Sequence, residues 1–219
     1  MTILVPMCGL PRSGSTLLVN LINQHPDVYG SPDSLLSTMV KALQERISES
    51  MQESQYNADL SYDIFYNFCR GGIISWIDKL TDKKIFLDKC RGWIEIVDIC
   101  RNTFPHTKFI VCIRDLRGIY SSLLKVEKST PLIYKDSLIY GEQSYDYREV
   151  DIEDQKIDDA LGQPMVRRNL VTIKELLDCN KLDNTYLFVR YEDLIQDPRK
   201  ELSIIYEFLN LSDHKNDLD

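Results

Sequence analysis

The sequence predicts an α/β fold in three layers, a central parallel sheet flanked by helices. Four short apolar runs, at 2–8, 84–88, 108–113 and 185–189, are separated by segments whose apolar residues recur at helical spacing. Strands that alternate with helices need crossover connections, which give parallel pairing with helices on both faces. The run Lys108-Phe109-Ile110-Val111-Cys112-Ile113 is apolar without alternation, as expected of a strand covered on both sides. A chain of 219 residues is long enough for a real core, and one domain over 1–219 is expected.

The elements follow in order. Residues 2–8 form the first strand and 15–24 a helix, stopped at His25-Pro26 because the residue before proline avoids helical backbone. Leu35, Leu36, Met39, Val40, Leu43 and Ile47 give helical spacing over 33–50, with Ser31 or Asp33 available as the cap. A helix with an aromatic side follows at 61–80. The strand Lys84-Ile85-Phe86-Leu87-Asp88 comes next, then a helix over 93–104 closed by Pro105. After the 108–113 strand, Asp115 opens a helix that reaches about Lys125. Residues 164–179 are helical, and Thr185-Tyr186-Leu187-Phe188-Val189 is the last strand. Asp197-Pro198 opens a final amphipathic helix with Leu202, Ile205, Phe208 and Leu209 inward. Residues 128–160 break the alternation with Ser129-Thr130-Pro131, several tyrosines and an acidic run. They are expected to form a lid or loop insertion, and their charges suit a solvated loop.

Composition narrows the function. The net charge of −8 and pI of about 5.0 argue against general affinity for nucleic acid or anionic lipid, while leaving room for a local basic pocket. The six cysteines sit mostly inside apolar segments, with no C-x-x-C pair and no Cys/His cluster. Buried reduced thiols are expected, not a zinc site or a disulfide framework. The sequence carries no signal peptide and no transmembrane span, so a soluble cytoplasmic protein is expected.

The chemistry concentrates in Gly9-Leu10-Pro11-Arg12-Ser13-Gly14-Ser15-Thr16-Leu17, a tight loop between the first strand and the first helix. Backbone N–H groups of such a loop, added to the positive end of the helix, make an anion cradle. The spacing is that of a Walker A loop, which makes the expected fold P-loop-like, but Ser15 stands where the lysine should be. A cation, Arg12, comes three residues earlier. The other three strands also end in polar clusters: Asp88-Lys89-Cys90-Arg91, Arg114-Asp115-Leu116-Arg117 and Arg190-Tyr191-Glu192-Asp193. In a parallel sheet these lie along one edge, where ligands bind. Four or five cations are therefore expected to converge on one crevice and to take a ligand with several anionic groups. Arg114 and Ser122 are eight apart, about two helical turns, so both can face the same side.

These residues carry a family resemblance. The chain resembles the sulfotransferases that use 3′-phosphoadenosine-5′-phosphosulfate (PAPS), over roughly its whole length apart from 128–160. Pro11-Arg12-Ser13-Gly14-Ser15-Thr16-Leu17 is similar to that family's 5′-phosphosulfate loop. Phe109 through Ser122 resembles its 3′-phosphate segment, which implies that Arg114 and Ser122 hold the 3′-phosphate. Arg190-Tyr191-Glu192-Asp193-Leu194, followed by Asp197-Pro198, resembles the late segment whose tyrosine lies near the adenine. The nearest branch is the protein-tyrosine sulfotransferase-like one, on His25-Pro26-Asp27-Val28, Asp33, Leu87-Asp88-Lys89 and Phe104-Pro105-His106-Thr107-Lys108-Phe109. That resemblance implies Asp33 as general base and Lys89 as a transition-state stabiliser, with Arg12 on the leaving group. Asp33 is a methylene shorter than the branch's glutamate, and the C-terminal donor-contacting segment has no counterpart after Leu211.

The donor-binding set is then Arg12, Ser13, Gly14, Ser15, Thr16, Leu17, Arg114, Ser122 and Tyr191, and the expected product is 3′,5′-adenosine bisphosphate. No metal is expected, because the transferred sulfuryl group carries less charge than a γ-phosphate. The acceptor is left open among carbohydrate, peptide tyrosine, lipid and small molecule, with no nucleic-acid partner. A P-loop small-molecule or nucleotide kinase, or a non-catalytic nucleotide-binding protein on the same scaffold, are the alternatives. The missing lysine argues against the first. Asp115 and Arg117 are expected to pair locally, and His25, His106, Trp76 and Trp93 to be structural.

Overall fold

A computed structural model describes residues 2–53, 58–129, 164–178 and 184–218. The elements in chain order are β1 (Ile3–Gly9), α1 (Ser15–Ile22), β2 (Val28–Ser31), α2 (Leu36–Glu53), α3 (Ala58–Leu80) and β3 (Ile85–Lys89). A 3-10 turn (Arg91–Ile96) leads into α4 (Val97–Thr103), followed by β4 (Phe109–Ile113), α5 (Leu116–Ser129) and α6 (Pro164–Asp178). The chain closes with β5 (Tyr186–Arg190), α7 (Tyr191–Gln196) and α8 (Pro198–Phe208). The lid expected at 128–160 falls almost wholly outside the described residues.

The strands make one parallel sheet in the order β2-β3-β1-β4-β5. Central β1 is buried from Leu4 to Gly9, and its side chains divide between two cores. Leu4 and Cys8 face a core with α2, α3, α4 and α6, centred on Phe86, Trp93 and Phe109. Val5 and Met7 face the other, with Leu18 and Ile22 of α1 and Leu202, Ile205 and Tyr206 of α8. Each such side chain contributes roughly 1.5–3 kcal/mol on burial, which fixes the sheet and its polar edge.

The four strands read from the sequence are present, and the sheet has a fifth. Val28–Ser31 is only four residues long and contains Gly30, so neither length nor alternation marks it. It forms because Gly30 fits against Val19 of α1, and because the Gly30 N–H donates to Asn23 Oδ1 at 2.7 Å. The helix expected over 93–104 begins instead as the 3-10 turn at Arg91. The segment after β5 folds at once into α7, a short helix that sequence spacing does not announce.

Candidate active site

The carboxyl edge of the sheet is shaped by the loop between β1 and α1. Gly9 lies at φ 128°, and a Cβ there would sit 2.1 Å from the Cys112 carbonyl oxygen, so only glycine lets β1 end against β4. Gly14 lies at φ 80°, and a Cβ there would meet Tyr191 Cδ2 at 2.4 Å. Between them Arg12 holds φ 60°, a left-handed conformation that costs a non-glycine residue about 1 kcal/mol or more. The Ser13 hydroxyl donates to the Leu10 carbonyl at 2.6 Å and is buried, so it closes the turn and does not face the edge. The N-cap, Gly14, has no side chain to cap α1, and the N–H groups of its first turn face no capping side chain among the described residues, so they suit an anion.

Two clefts flank this loop. The first, of about 420 Å³, is lined by Arg12, Gly14, Ser15, Thr16 and Leu17, by Arg114, and by Gly118, Ser121, Ser122 and Lys125 of α5, with Tyr191 of α7. Arg12 Nε donates to Ser122 Oγ at 2.9 Å, and an Arg114 terminal nitrogen donates to the Arg12 carbonyl at 2.8 Å. The Arg114 guanidinium lies 4.0 Å from the Tyr191 ring centre, within reach of cation–π attraction. Its Nε is buried with no hydrogen-bond partner among the described residues. A buried donor left open on a charged group suits a missing anionic acceptor.

The second cleft, of about 490 Å³, lies on the β3 side. Arg12, Ser15 and Thr16 line it too, opposite Asp33, Ser37, Thr38, Lys41, Lys89, Arg91 and Glu95. Lys89 Nζ approaches Thr16 Oγ1 at 3.4 Å, and the Asp33 side chain is exposed at the opening. Lys41 pairs with Glu95, which Arg168 also approaches at 3.7 Å.

The expected single crevice is therefore two, with the loop as their common wall. The cations also divide. Arg12, Arg114 and Lys125 serve the first cleft; Arg12, Lys41, Lys89 and Arg91 the second. Arg117 and Arg190 belong to neither. Arg117 pairs with Asp115 at 2.5 Å and holds that carboxyl down at about 2, and Arg190 lies 3.4 Å from Glu192. Their charge is neutralised locally because each has an acid within three residues.

Asp88, which the sequence places in a polar cluster and in the Leu87-Asp88-Lys89 segment, is fully buried at the end of β3. Its Oδ2 accepts from Ser34 Oγ and from Trp93 Nε1, both at 2.7 Å. Desolvation pushes its carboxyl up to about 6, against the pull of those two hydrogen bonds. Trp93 is thus a packed residue with a polar task. His25 is buried, with Nε2 3.1 Å from the Ser212 carbonyl, whereas His106 is exposed and Trp76 is partly so. Buried Asn169 donates to the Gly9 carbonyl at 2.9 Å and braces the loop from α6. Nothing in the sequence singles it out, because the partner is 160 residues away. Lys125 could have been found: 118, 121, 122 and 125 share one face of α5. Burial pushes the Cys100 and Cys112 thiols up to about 12, which makes them inert packing groups. No group of residues suited to a metal ion occurs among the described residues.

A parallel sheet with a lysine-free Walker-like loop between two clefts defines a P-loop-like scaffold. Residues 5–215 match the family model described as "Sulfotransferase family", and this chain belongs to that family. It is 26% identical over 93% of its length to a Caenorhabditis briggsae protein named "Putative protein-tyrosine sulfotransferase", of which it covers 64%. It is 22% identical, again over 93%, to protein-tyrosine sulfotransferase 1 of Danio rerio, covering 52%. The chain thus spans between about half and two thirds of these relatives. Among solved structures, the sulfotransferase domain of the Synechococcus PCC 7002 olefin synthase superposes with a TM-score of 0.59 at 21% identity, over 97% of this chain and 74% of that one. A sulfotransferase from Alicyclobacillus acidocaldarius gives 0.62 at 13% identity, over 99% and 85%. These likenesses establish the fold.

Proposed function

We propose that this protein transfers a sulfuryl group from PAPS to a hydroxyl or amine acceptor, with the donor in the Arg114 cleft and the acceptor in the Asp33 cleft. One observation carries the reading: Arg12, Ser15 and Thr16 line both clefts, so a group held on the loop is presented to both. The donor supplies a sulfuryl group on a good phosphate leaving group. In an in-line displacement the bond from sulfur to the 5′-phosphate oxygen breaks as the bond to the acceptor oxygen or nitrogen forms.

The chain's residues fit that task. Arg114, with its open Nε, and Ser122 offer charged and neutral donors to the 3′-phosphate. Tyr191 gives a flat surface beside them for the adenine. Arg12, Lys89, Ser15, Thr16 and the first-turn N–H groups of α1 neutralise charge that builds on the departing 5′-phosphate. Asp33 accepts the proton of the acceptor, and a well-placed base contributes ~10²–10⁴-fold. Two relatives carry the name protein-tyrosine sulfotransferase, so a peptide tyrosine hydroxyl is the first acceptor to try.

Thermal-shift titration tests the donor. Stabilisation by 3′,5′-adenosine bisphosphate without magnesium is expected. Preference for Mg-ATP would overturn the reading and restore the kinase alternative. Transfer of ³⁵S-labelled sulfate to tyrosine peptides, sugars and simple phenols then tests the reaction and the acceptor.

A further inference from the structure

The segment that carries Asp33 is held at both ends by one residue, Asp88: by its backbone in the sheet ladder at Ser31 and by its buried carboxylate at Ser34. β2 ends at Ser31, which pairs in the ladder with Asp88 of β3. The chain leaves the sheet, passes Asp33, and returns at once to Asp88, whose Oδ2 accepts from Ser34 Oγ at 2.7 Å. Ser34 Oγ in turn accepts from the Leu36 N–H at 3.2 Å, at the start of α2. Inside the excursion, Ser31 Oγ donates to the Asp33 carbonyl at 3.0 Å. Asp88 is followed in β3 by Lys89, and its other bond, from Trp93 Nε1 at 2.7 Å, fixes the 3-10 turn behind the second cleft.

We propose that Asp88 is a positioning residue that latches the 31–36 loop to the end of β3 through Ser34, so that Asp33 faces the acceptor at a set place relative to Lys89. A carboxylate suits this use. Ionised, it is acceptor-only, and it takes two O–H and N–H donors from two different segments on one oxygen. Asp88 is shielded from water and its Oδ1 has no partner among the described residues, so losing a bond at Oδ2 leaves a buried carboxylate less satisfied and frees the segment. A displacement near 1 Å at a reacting group costs on the order of 10²-fold in rate. Neither Asp88 nor Ser34 lines the donor cleft, so breaking the latch should change donor-product binding little.

The inference rests on the sulfuryl-transfer reading, and the test separates the two. Asp88→Asn, Ser34→Ala, Ser34→Thr and Trp93→Phe are compared for turnover, for affinity toward 3′,5′-adenosine bisphosphate, and for hydrogen exchange at the Leu36 amide. Ser34→Ala and Asp88→Asn are expected to lower kcat at least tenfold and to speed Leu36 exchange at least tenfold. Donor-product affinity should stay within twofold. Ser34→Thr keeps the hydroxyl and should restore both, and Trp93→Phe should leave Leu36 exchange near wild type. The double variant Asp88→Asn/Ser34→Ala should be no slower than Asp88→Asn, because both changes break one contact. Should Asp88→Asn fail to fold, Ser34→Ala carries the test. The latch is overturned if Ser34→Ala leaves kcat and Leu36 exchange at wild-type values, or if Trp93→Phe reproduces its effects in both. If the wild type transfers no sulfate while the exchange pattern holds, the reaction falls and the latch stands.

Discussion

At the residue scale, burial and charge oppose each other at Asp88. Burial pushes its carboxyl up to about 6, above the ordinary carboxylate value, so the native state holds a proton more tightly than the unfolded chain does. Stability from this group is therefore fully present below about pH 4 and is lost as pH rises through about 6. The difference in unfolding free energy between wild type and Asp88→Asn should shift against the wild type by about 2 kcal/mol between pH 4 and 7. Urea melts of both proteins at pH 4, 5, 6 and 7 measure it, and a flat difference contradicts the assignment. The opposing contribution of exposed Asp115, held low by Arg117, cancels in that comparison. Replacing Asp33 with Asn touches no buried contact and should leave donor-product binding within about twofold while cutting kcat by ~10²–10⁴-fold. Wild-type turnover in that variant removes Asp33 from the role of base.

Arg12 exposes a second tension. Its left-handed backbone would suit glycine better, yet its guanidinium is the cation common to both clefts. Arg12→Gly should leave the melting temperature near wild type, since relief of about 1 kcal/mol is offset by the greater freedom of glycine when unfolded. Binding of 3′,5′-adenosine bisphosphate should nevertheless weaken about tenfold or more. A variant that melts like wild type and binds like wild type would make Arg12 an ordinary surface residue.

At the element scale, α5 presents Gly118, Ser121, Ser122 and Lys125 to the cleft proposed for the donor from one face. Ser122 also holds Arg12 at 2.9 Å. Ser122→Ala removes one neutral hydrogen-bond group and should weaken donor-product binding by about 2–10-fold, read by calorimetry. How much was legible in the sequence also divides by element. The loop, β1, β3, β4, β5 and the helix bearing Ser122 announce themselves through apolar runs, glycines and a spacing of eight. That Arg114 and Ser122 line one cleft could be read because both lie on contiguous chain. β2 could not, since its four residues gain their conformation from α1 and from the β3 edge. The two-cleft arrangement and the local pairing of Arg117 and Arg190 are matters of side-chain direction, which spacing does not give. Asp88 is legible as an acid at a strand end, but its burial beneath Ser34 and Trp93 is set by elements more than fifty residues apart in one case and five in the other.

At the scale of the whole molecule, a net charge of −8 surrounds an edge where cations gather. Approach of any polyanionic ligand is thus opposed at long range and favoured at short range. Salt within the range of the Debye length, about 10 Å at 0.1 M, screens both. The local cations are nearer the ligand, so affinity for 3′,5′-adenosine bisphosphate should fall as NaCl rises from 20 to 500 mM. Affinity that rises with salt would mean that the acidic surface dominates.

The loop that forms the common wall also links the two clefts thermodynamically. Whatever a bound ligand does to the orientation of Arg12 or Thr16 on one side is felt on the other. Coupling of this kind is reciprocal: if donor raises acceptor affinity by some factor, acceptor raises donor affinity by the same factor. Spent 3′,5′-adenosine bisphosphate, resting on the same wall, would then hold acceptor or sulfated product in place. On the proposed reaction, release of the two products would be interdependent, because so small a partition between the clefts leaves little freedom to empty one without loosening the other.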